Sequence, residues 1–486
     1  MTARAVSPGA DLDVTGRVVL PGDSDYDATR AVFNAMIDRK PAAIARVRSE
    51  ADIAASIRYA RDRGLPLAIR AGGHSAPGFG CCDDGIVIDV RELTQAALDP
   101  VSATMRCGSG LTWRQFDAAT QAYGLAVTGG RVSSTGVTGL ALGSGSGWLE
   151  RVMGLTPDNL IGGRMVTADG EVVEVDEDPD LLWALRGGGG NFGVMSELRF
   201  ALRPIGPVIL GGLRIYGYRR ATEVLTGYRD VMATAPAELC GGLSLITAPP
   251  APFIPEELQG RPAVAVMVLW AGDPDRAEAG IAPLAALGKP AADLVGPMPY
   301  CQVQQMTDEG SPAGRRDYFK GGFMTSLPDD AVSTIVELGA SLTAPLTQII
   351  CAPLGTAPYA GIGEDHPPIG RREESWSFQV LSLWDDPAQD EEQKTWTRAA
   401  SEAMTSYSDM VSYPNFLAAD EAGDVSKAFS PPVLARLRMV KDRYDRANVF
   451  RINHNITPSA GSAADHQQPR PATPMTAGAA PTTAGS

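Results

Sequence analysis

The 486-residue chain is poor in the residues that build metal centres and disulfide frameworks, with six cysteines and four histidines. The cysteines are scattered, and the adjacent pair Cys81–Cys82 lacks the spacing of a zinc or dithiol motif. The thiols therefore read as reduced and structural, and the chemistry must come from something other than a multi-histidine metal. No apolar run approaches the roughly 20 residues of a membrane-spanning helix. The opening stretch MTARAVSPGADLDVTG has no apolar segment behind its early arginine, so no signal peptide is expected and a cytoplasmic location is. A basic excess is missing as well. The net charge of −15 argues against nucleic acid or an anionic membrane as partner. The remaining composition, 44% hydrophobic and 20% charged, is that of a globular protein long enough for two large domains.

What the chain does have is glycine, gathered in three places. The first is Leu67–Gly80, LAIRAGGHSAPGFG. Its apolar start reads as a buried strand and its Gly/Ser/Pro cluster as a tight loop. Upstream, Ala43–Val47 reads as a strand. Ser49 and Asp52 then offer cap chemistry for a helix whose Ile53, Ile57 and Ala60 recur at helical spacing. Downstream, Gly85–Val90 (GIVIDV) is another β-branched strand. A strand–helix–strand unit that delivers a glycine loop follows the logic of a nucleotide-binding half-domain. Yet no GxGxxG opens a helix, so a Rossmann site is not written here. Paired glycines let backbone N–H groups approach an anion. On this stretch alone, His74 reads equally well as the surface residue of a turn.

The second place is Thr128–Asn159, where glycines alternate with small and hydroxyl residues and with Val132, Val137, Leu140, Leu142 and Trp148. Linkers rarely interleave such apolar residues, and small side chains suit a large flat ligand lying against backbone. The third follows a hairpin signalled by Asp169–Gly170. There a short helix ends in four glycines, Gly187–Gly190, and Asn191–Val194 leads into a strand. Three glycine loops at strand ends argue for one extended ligand. From about Arg203 the texture changes, with alternating stretches at Ala263–Leu269 and Trp376–Trp384 that suit an antiparallel sheet. Helices are expected at Ala221–Ala233 and Asp330–Ala340. Leu434, Leu437, Val440 and Tyr444 form a helical stripe that reads as core. The Ala/Gly/Pro/Thr/Ser stretch from Ser459 reads as a disordered tail.

Together, Arg70–Ser75 (RAGGHS), Gly139–Asp158, Trp183–Val194 and Tyr444–Ile456 resemble the berberine-bridge-enzyme-like branch of the vanillyl-alcohol-oxidase flavoprotein superfamily. The resemblance implies an α+β fold. It has a two-subdomain FAD-binding domain, residues 1–202 with a returning segment 411–458, and a substrate domain with an antiparallel sheet, 203–410. Residues 459–486 would be the tail. In this family FAD lies extended between the subdomains. Arg70, Ala71, Gly72, Gly73, His74 and Ser75, with Gly136, Gly139, Gly143 and Gly145, would cradle the pyrophosphate. Asp158, Asn159, Gly193 and Val194 would follow the ribose and adenine. His74 matches the histidine that bonds covalently to the flavin. Bicovalent members carry a cysteine where this chain has Val132, so attachment through His74 alone is expected.

The resemblance also implies the chemistry. Val132, Ser133, Ser134, Thr135 and Leu140 would line the flavin face that oxygen must reach, and a valine there favours an oxidase. Tyr413 in SYPNF matches the family's active-site tyrosine, a usable base only if a donor or positive charge lowers its pKa. Asn415 falls on the same face by a strand's period. Gln379 and Trp384 are candidates for substrate contact. Asn453 and Asn455 match a pair near the isoalloxazine, with His454 expected on the opposite face. The implied activity is removal of a hydride from an alcohol-type or secondary-metabolite substrate, with molecular oxygen as acceptor and peroxide as product. An oxygenase, a dehydrogenase and a non-redox flavin-binding cyclase or scaffold remain the alternatives. Oligomeric state is not legible.

Overall fold

The computed structural model describes residues 9–355, 368, 376–408, 412–421 and 423–459. The expected tail beyond Ser459 lies outside the described residues. The chain builds three principal sheets. The first holds β1 (Arg17–Val19), β2 (Ala43–Arg46), β3 (Leu67–Arg70) and β4 (Ile86–Asp89) in the order β1-β2-β4-β3, with β2 and β3 both parallel to β4. The helix Glu50–Asp62 makes the crossover. Ser49 caps it by accepting from the Asp52 amide, and Ile53, Ile57 and Ala60 are buried against the sheet. This parallel unit delivers the chain from the end of β3 into the first glycine loop.

The second sheet holds β5 (Ala96–Asp99), β6 (Thr104–Gly108), β8 (Leu160–Val166), β9 (Val172–Glu174) and β10 (Val194–Ala201), in the order β5-β6-β10-β8-β9. A short pair, β7 (Leu125–Ala126) with β11 (Arg203–Pro204), lies beside it. The hairpin β8–β9 turns through Gly170, whose φ of +85° is open to glycine and costly for other residues. The helices Val137–Gly143 and Pro179–Leu185 pack into the same core as Trp113, Phe116 and Phe200.

The third sheet is antiparallel and has eight strands: β12 (Val208–Gly217), β13 (Leu239–Thr247), β14 (Pro262–Trp270), β15 (Ala292–Asp293), β16 (Gly296–Pro299), β17 (Arg316–Met324), β18 (Gln348–Pro353) and β19 (Trp376–Trp384). Its period-two pattern separates two faces. Val224, Tyr228, Val332, Ile335 and Ala400, from three helices, cover the face of Val266, Val268, Phe378 and Val380. The opposite face looks toward the glycine loops. The chain thus combines parallel and antiparallel sheets with separate helical layers, an α+β fold. No helix among the described residues is long and apolar enough to cross a membrane.

Candidate functional site

The glycine loops and the free face of the third sheet enclose a cavity of about 410 Å³. One wall is backbone: Ala71–Ser75, Gly130–Val132, Thr135–Gly136, Gly139–Leu140, Gly143 and Gly187–Asn191. The other wall is alternate side chains of neighbouring strands: Ser244 of β13, Asp317 and Phe319 of β17, Gln348 and Ile350 of β18, and Gln379, Leu381 and Leu383 of β19. Pro414, Asn415 and Phe416 close it from the C-terminal segment, as do Phe450, Asn453 and His454.

His74 sits at the meeting of the two walls. Its Nε2 lies 3.0 Å from Ser134 Oγ, its Nδ1 lies 3.3 Å from Thr135 Oγ1, and its ring stacks on Phe33 at a centroid distance of 4.0 Å. Burial pushes its pKa down to about 4, so the imidazole is neutral at physiological pH. The loop that holds it is itself held. Asp308 accepts from the Ser133 amide at 2.8 Å and from Ser133 Oγ at 2.6 Å, and Thr307 Oγ1 donates to the Arg131 carbonyl. Arg114 adds an ion pair to Asp308 at 3.0 Å.

Arg131 borders the cavity beneath Trp148, with its guanidinium 5.0 Å from the indole ring and 3.8 Å from Glu150. Burial lowers its pKa, against the opposing charges of Glu150 and Tyr413. Tyr413 is therefore within electrostatic range of a buried cation. The tyrosine ring itself is only 4% exposed and packs on Phe323 and Phe416 at 4.3 and 5.6 Å.

The residues singled out in the sequence divide by placement. Ala71, Gly72, Gly73, His74, Ser75, Val132, Thr135, Gly136, Gly139, Leu140, Gly143, Gln379, Asn415 and Asn453 all border the cavity. Arg70, Gly145, Asp158, Asn159, Gly193, Val194, Tyr413 and Asn455 are not on its lining. The Arg70 guanidinium instead donates to the carbonyls of Thr29 and Ala31. Asp158 accepts from the Leu155 amide at 2.7 Å, and Asn159 donates to the carbonyls of Met153 and Leu155. Gly145 has a φ of +84° and abuts Thr156, Gly193 packs on Met165, and Val194 pairs with Val166 inside the second sheet. These residues shape the loops from behind. Trp384 falls on the face of β19 away from the cavity and donates to Asp390 at 2.9 Å. His454 does border the cavity, edge-on to Phe79, because residues 451–459 form bends and not an alternating strand.

Other participants carry no motif. Asn191 donates to the carbonyls of Gly188 and His454 and accepts from the Ile456 amide, tying the third glycine loop to the C-terminal segment. Lys441 is fully buried and donates to the carbonyls of Asn191 and Phe450 and to Asp445, all within 2.9 Å. The lysine lies between apolar stripe positions, and only its partners reveal its role. Phe33 and Asp308 are isolated in the sequence from the loops that they hold.

The backbone wall fits an extended flat cofactor. Gly72 and Gly136 abut so closely that a Cβ on either would lie within 2.3 Å of the other's amide nitrogen. Gly139 and Gly190 border the cavity, and a Cβ built on them meets nothing within 4 Å, so the space beside their backbone is free for a ligand. Among the described residues no cluster of His, Cys, Asp or Glu is arranged to hold a metal ion.

Comparison with known proteins agrees with this geometry. A family model for an FAD binding domain matches residues 41–176, and one described as berberine and berberine like matches residues 412–457. The chain is 29% identical over 476 residues to the (R)-6-hydroxynicotine oxidase of Paenarthrobacter nicotinovorans, covering 94% of this chain and 99% of that one. The solved structure of 6-hydroxy-D-nicotine oxidase from Arthrobacter nicotinovorans is similar with a TM-score of 0.81 at 27% identity, covering 92% of this chain and 99% of that one. The fold is also that of berberine bridge enzyme from Eschscholzia californica, with a TM-score of 0.79 at 20% identity over 92% of this chain and 97% of that one. The chain thus carries an FAD binding domain and a berberine-like C-terminal segment, resembles the berberine-bridge-enzyme-like branch of the vanillyl-alcohol-oxidase flavoproteins, and is an FAD-dependent oxidoreductase.

Proposed function

We propose that the protein is an oxidase that carries FAD on His74. It takes two electrons from a C–H bond beside oxygen or nitrogen in a small, largely apolar substrate, of the alcohol or secondary-metabolite type, and passes them to molecular oxygen. The observation that carries this reading is the two-walled cavity, with glycine backbone on one side and, on the other, a largely apolar sheet face that bears two amides, a serine and a carboxyl. Flavin, when bound, supplies the hydride-accepting and oxygen-reducing chemistry. The protein supplies the rest. Ser134, Thr135 and Phe33 hold the neutral His74 in place as the attachment point. Among the described residues no cysteine borders the cavity, and no cysteinyl bond is proposed. Phe319, Leu381 and Ile350 exclude water around the substrate, and Gln379 and Asn415 orient it. The proton acceptor proposed is Tyr413, which lies behind the lining beside Phe416 and must come within reach of the substrate to act, with the Arg131 cation favouring the ionised hydroxyl.

The test is anaerobic mixing of holoenzyme with sugars, polycyclic alcohols and cyclic amines, followed by oxygen electrode and peroxide assays with any compound that bleaches the flavin. One peroxide per substrate is expected. Bleaching with little peroxide would indicate an oxygenase, and bleaching with little oxygen uptake a dehydrogenase. Should no compound bleach the flavin, the non-redox scaffold would be favoured.

A further inference from the structure

Among the described residues, the cavity lining holds one carboxyl, that of Asp317, and one permanently charged base, that of Arg131. Arg131 is matched by Glu150. Asp317 has no matching cation among the described residues. Its Oδ1 is buried with no hydrogen-bond partner. Among the described residues, the cations on and just before β17 are engaged elsewhere: Arg315 with Asp385, Arg316 with Asp390, and Lys320 with Asp420 and Glu421. The position is nonetheless firmly built. The Asn34 side chain accepts from the Asp317 amide at 3.1 Å and donates to its carbonyl at 2.7 Å, and in register Asp317 faces Leu383. Phe319, Leu381 and Leu383 surround it on the same sheet face. An unmatched carboxyl in apolar surroundings is costly unless a ligand completes it.

We propose that Asp317 is a specificity residue that receives the protonated basic nitrogen of an otherwise apolar substrate. The inference rests on reading this cavity as the substrate site of a flavoenzyme. Burial raises the carboxyl to about 7, so a cation entering the cavity meets an anion that little else in the protein stabilises. The His74 imidazole, held neutral by burial, does not compete for it.

Two redox-inert isosteres test the proposal: benzamidine, a cation, and benzamide, its neutral counterpart. Holoenzyme at pH 8 is titrated with each by calorimetry, and the flavin absorption band is followed in parallel. A charge-assisted pair predicts that benzamidine binds about tenfold tighter or more. Asp317→Asn keeps the side chain's size and the backbone bonds to Asn34. It should bring the ratio to about one and leave benzamide affinity unchanged, whereas Asp317→Glu should keep a preference for the cation. Equal affinities in the wild type, no benzamidine binding into the millimolar range, or a preference that survives Asp317→Asn would each overturn the proposal. Flavin-loaded protein without the preference defeats Asp317 alone. Protein that lacks flavin yet shows the preference defeats the oxidase reading and leaves the cation site standing.

Discussion

Asn415 Nδ2 donates to the Leu140 carbonyl at 3.0 Å, fastening the C-terminal segment to the glycine cradle across 275 positions of chain. Gly143 lies directly under that amide, and a Cβ there would stand 2.0 Å from Asn415 Oδ1. Gly143→Ala should therefore break the bond and cost about 1–3 kcal/mol, read as a lowered midpoint in denaturant unfolding. Gly139→Ala is the contrast, because its Cβ enters open cavity. The midpoint of the protein without flavin should hold, while the fraction of protein purified with flavin falls. Equal stability losses in both variants would show that the cavity beside Gly139 has no ligand to displace.

His74 carries the second prediction. Wild-type protein precipitated with acid should keep its yellow colour, and His74→Ala should release all of it to the supernatant. Because Ser134 and Thr135 hold the two ring nitrogens, Ser134→Ala with Thr135→Val should slow covalent incorporation of added FAD into flavin-free protein. A wild type that loses its colour in acid would leave His74 as a stacking and hydrogen-bonding residue only.

The elements were more legible in the sequence than the site. Ser49 before an apolar period, Asp169–Gly170 between strands, and the alternation of Trp376–Trp384 each report a local physical constraint, and the structure forms the helix, the hairpin and the strand there. Motif density was a poorer guide to which residues touch the cavity. Asp158 and Asn159 sit in a dense block, yet they spend their polar atoms on nearby backbone. Asn453 and His454 share the cavity because the segment bends where a strand would have separated them. Asp308 and Asp317 are two carboxylates among 57 acidic residues, and only tertiary register shows that one clamps the His74 loop and the other faces the cavity.

The third prediction concerns Tyr413. Removing its hydroxyl in Tyr413→Phe leaves the packing on Phe323 and Phe416 available, so the fold should persist. A lost base should slow anaerobic flavin reduction by about 10²–10⁴-fold, with substrate affinity little changed. Arg131→Met should also slow reduction, and should shift the rate's alkaline pH dependence upward by removing the cation near the hydroxyl. Reduction at the wild-type rate in Tyr413→Phe would reassign the proton to a group on the cavity lining.

The last prediction lies outside the cavity, where the helix Trp113–Gln121 meets the helix Tyr300–Gln305. Asp117 is buried there, accepts one bond from Gln304 at 3.3 Å, and has an Oδ1 with no partner. Burial raises its carboxyl to about 7. Between the ordinary carboxylate pKa near 4 and that value, the folded state holds a proton that the unfolded chain has released. Stability therefore falls as pH rises through this window, by up to about 1.4 kcal/mol for each pH unit, and levels off above it. Asp117→Asn removes the ionisation and keeps a donor and an acceptor for Gln304. Its unfolding midpoint relative to wild type should climb from pH 4 to pH 8, measured in urea at fixed salt. A constant difference across that range would mean that the folded carboxyl ionises like an exposed one, with water reaching Oδ1 between the two helices.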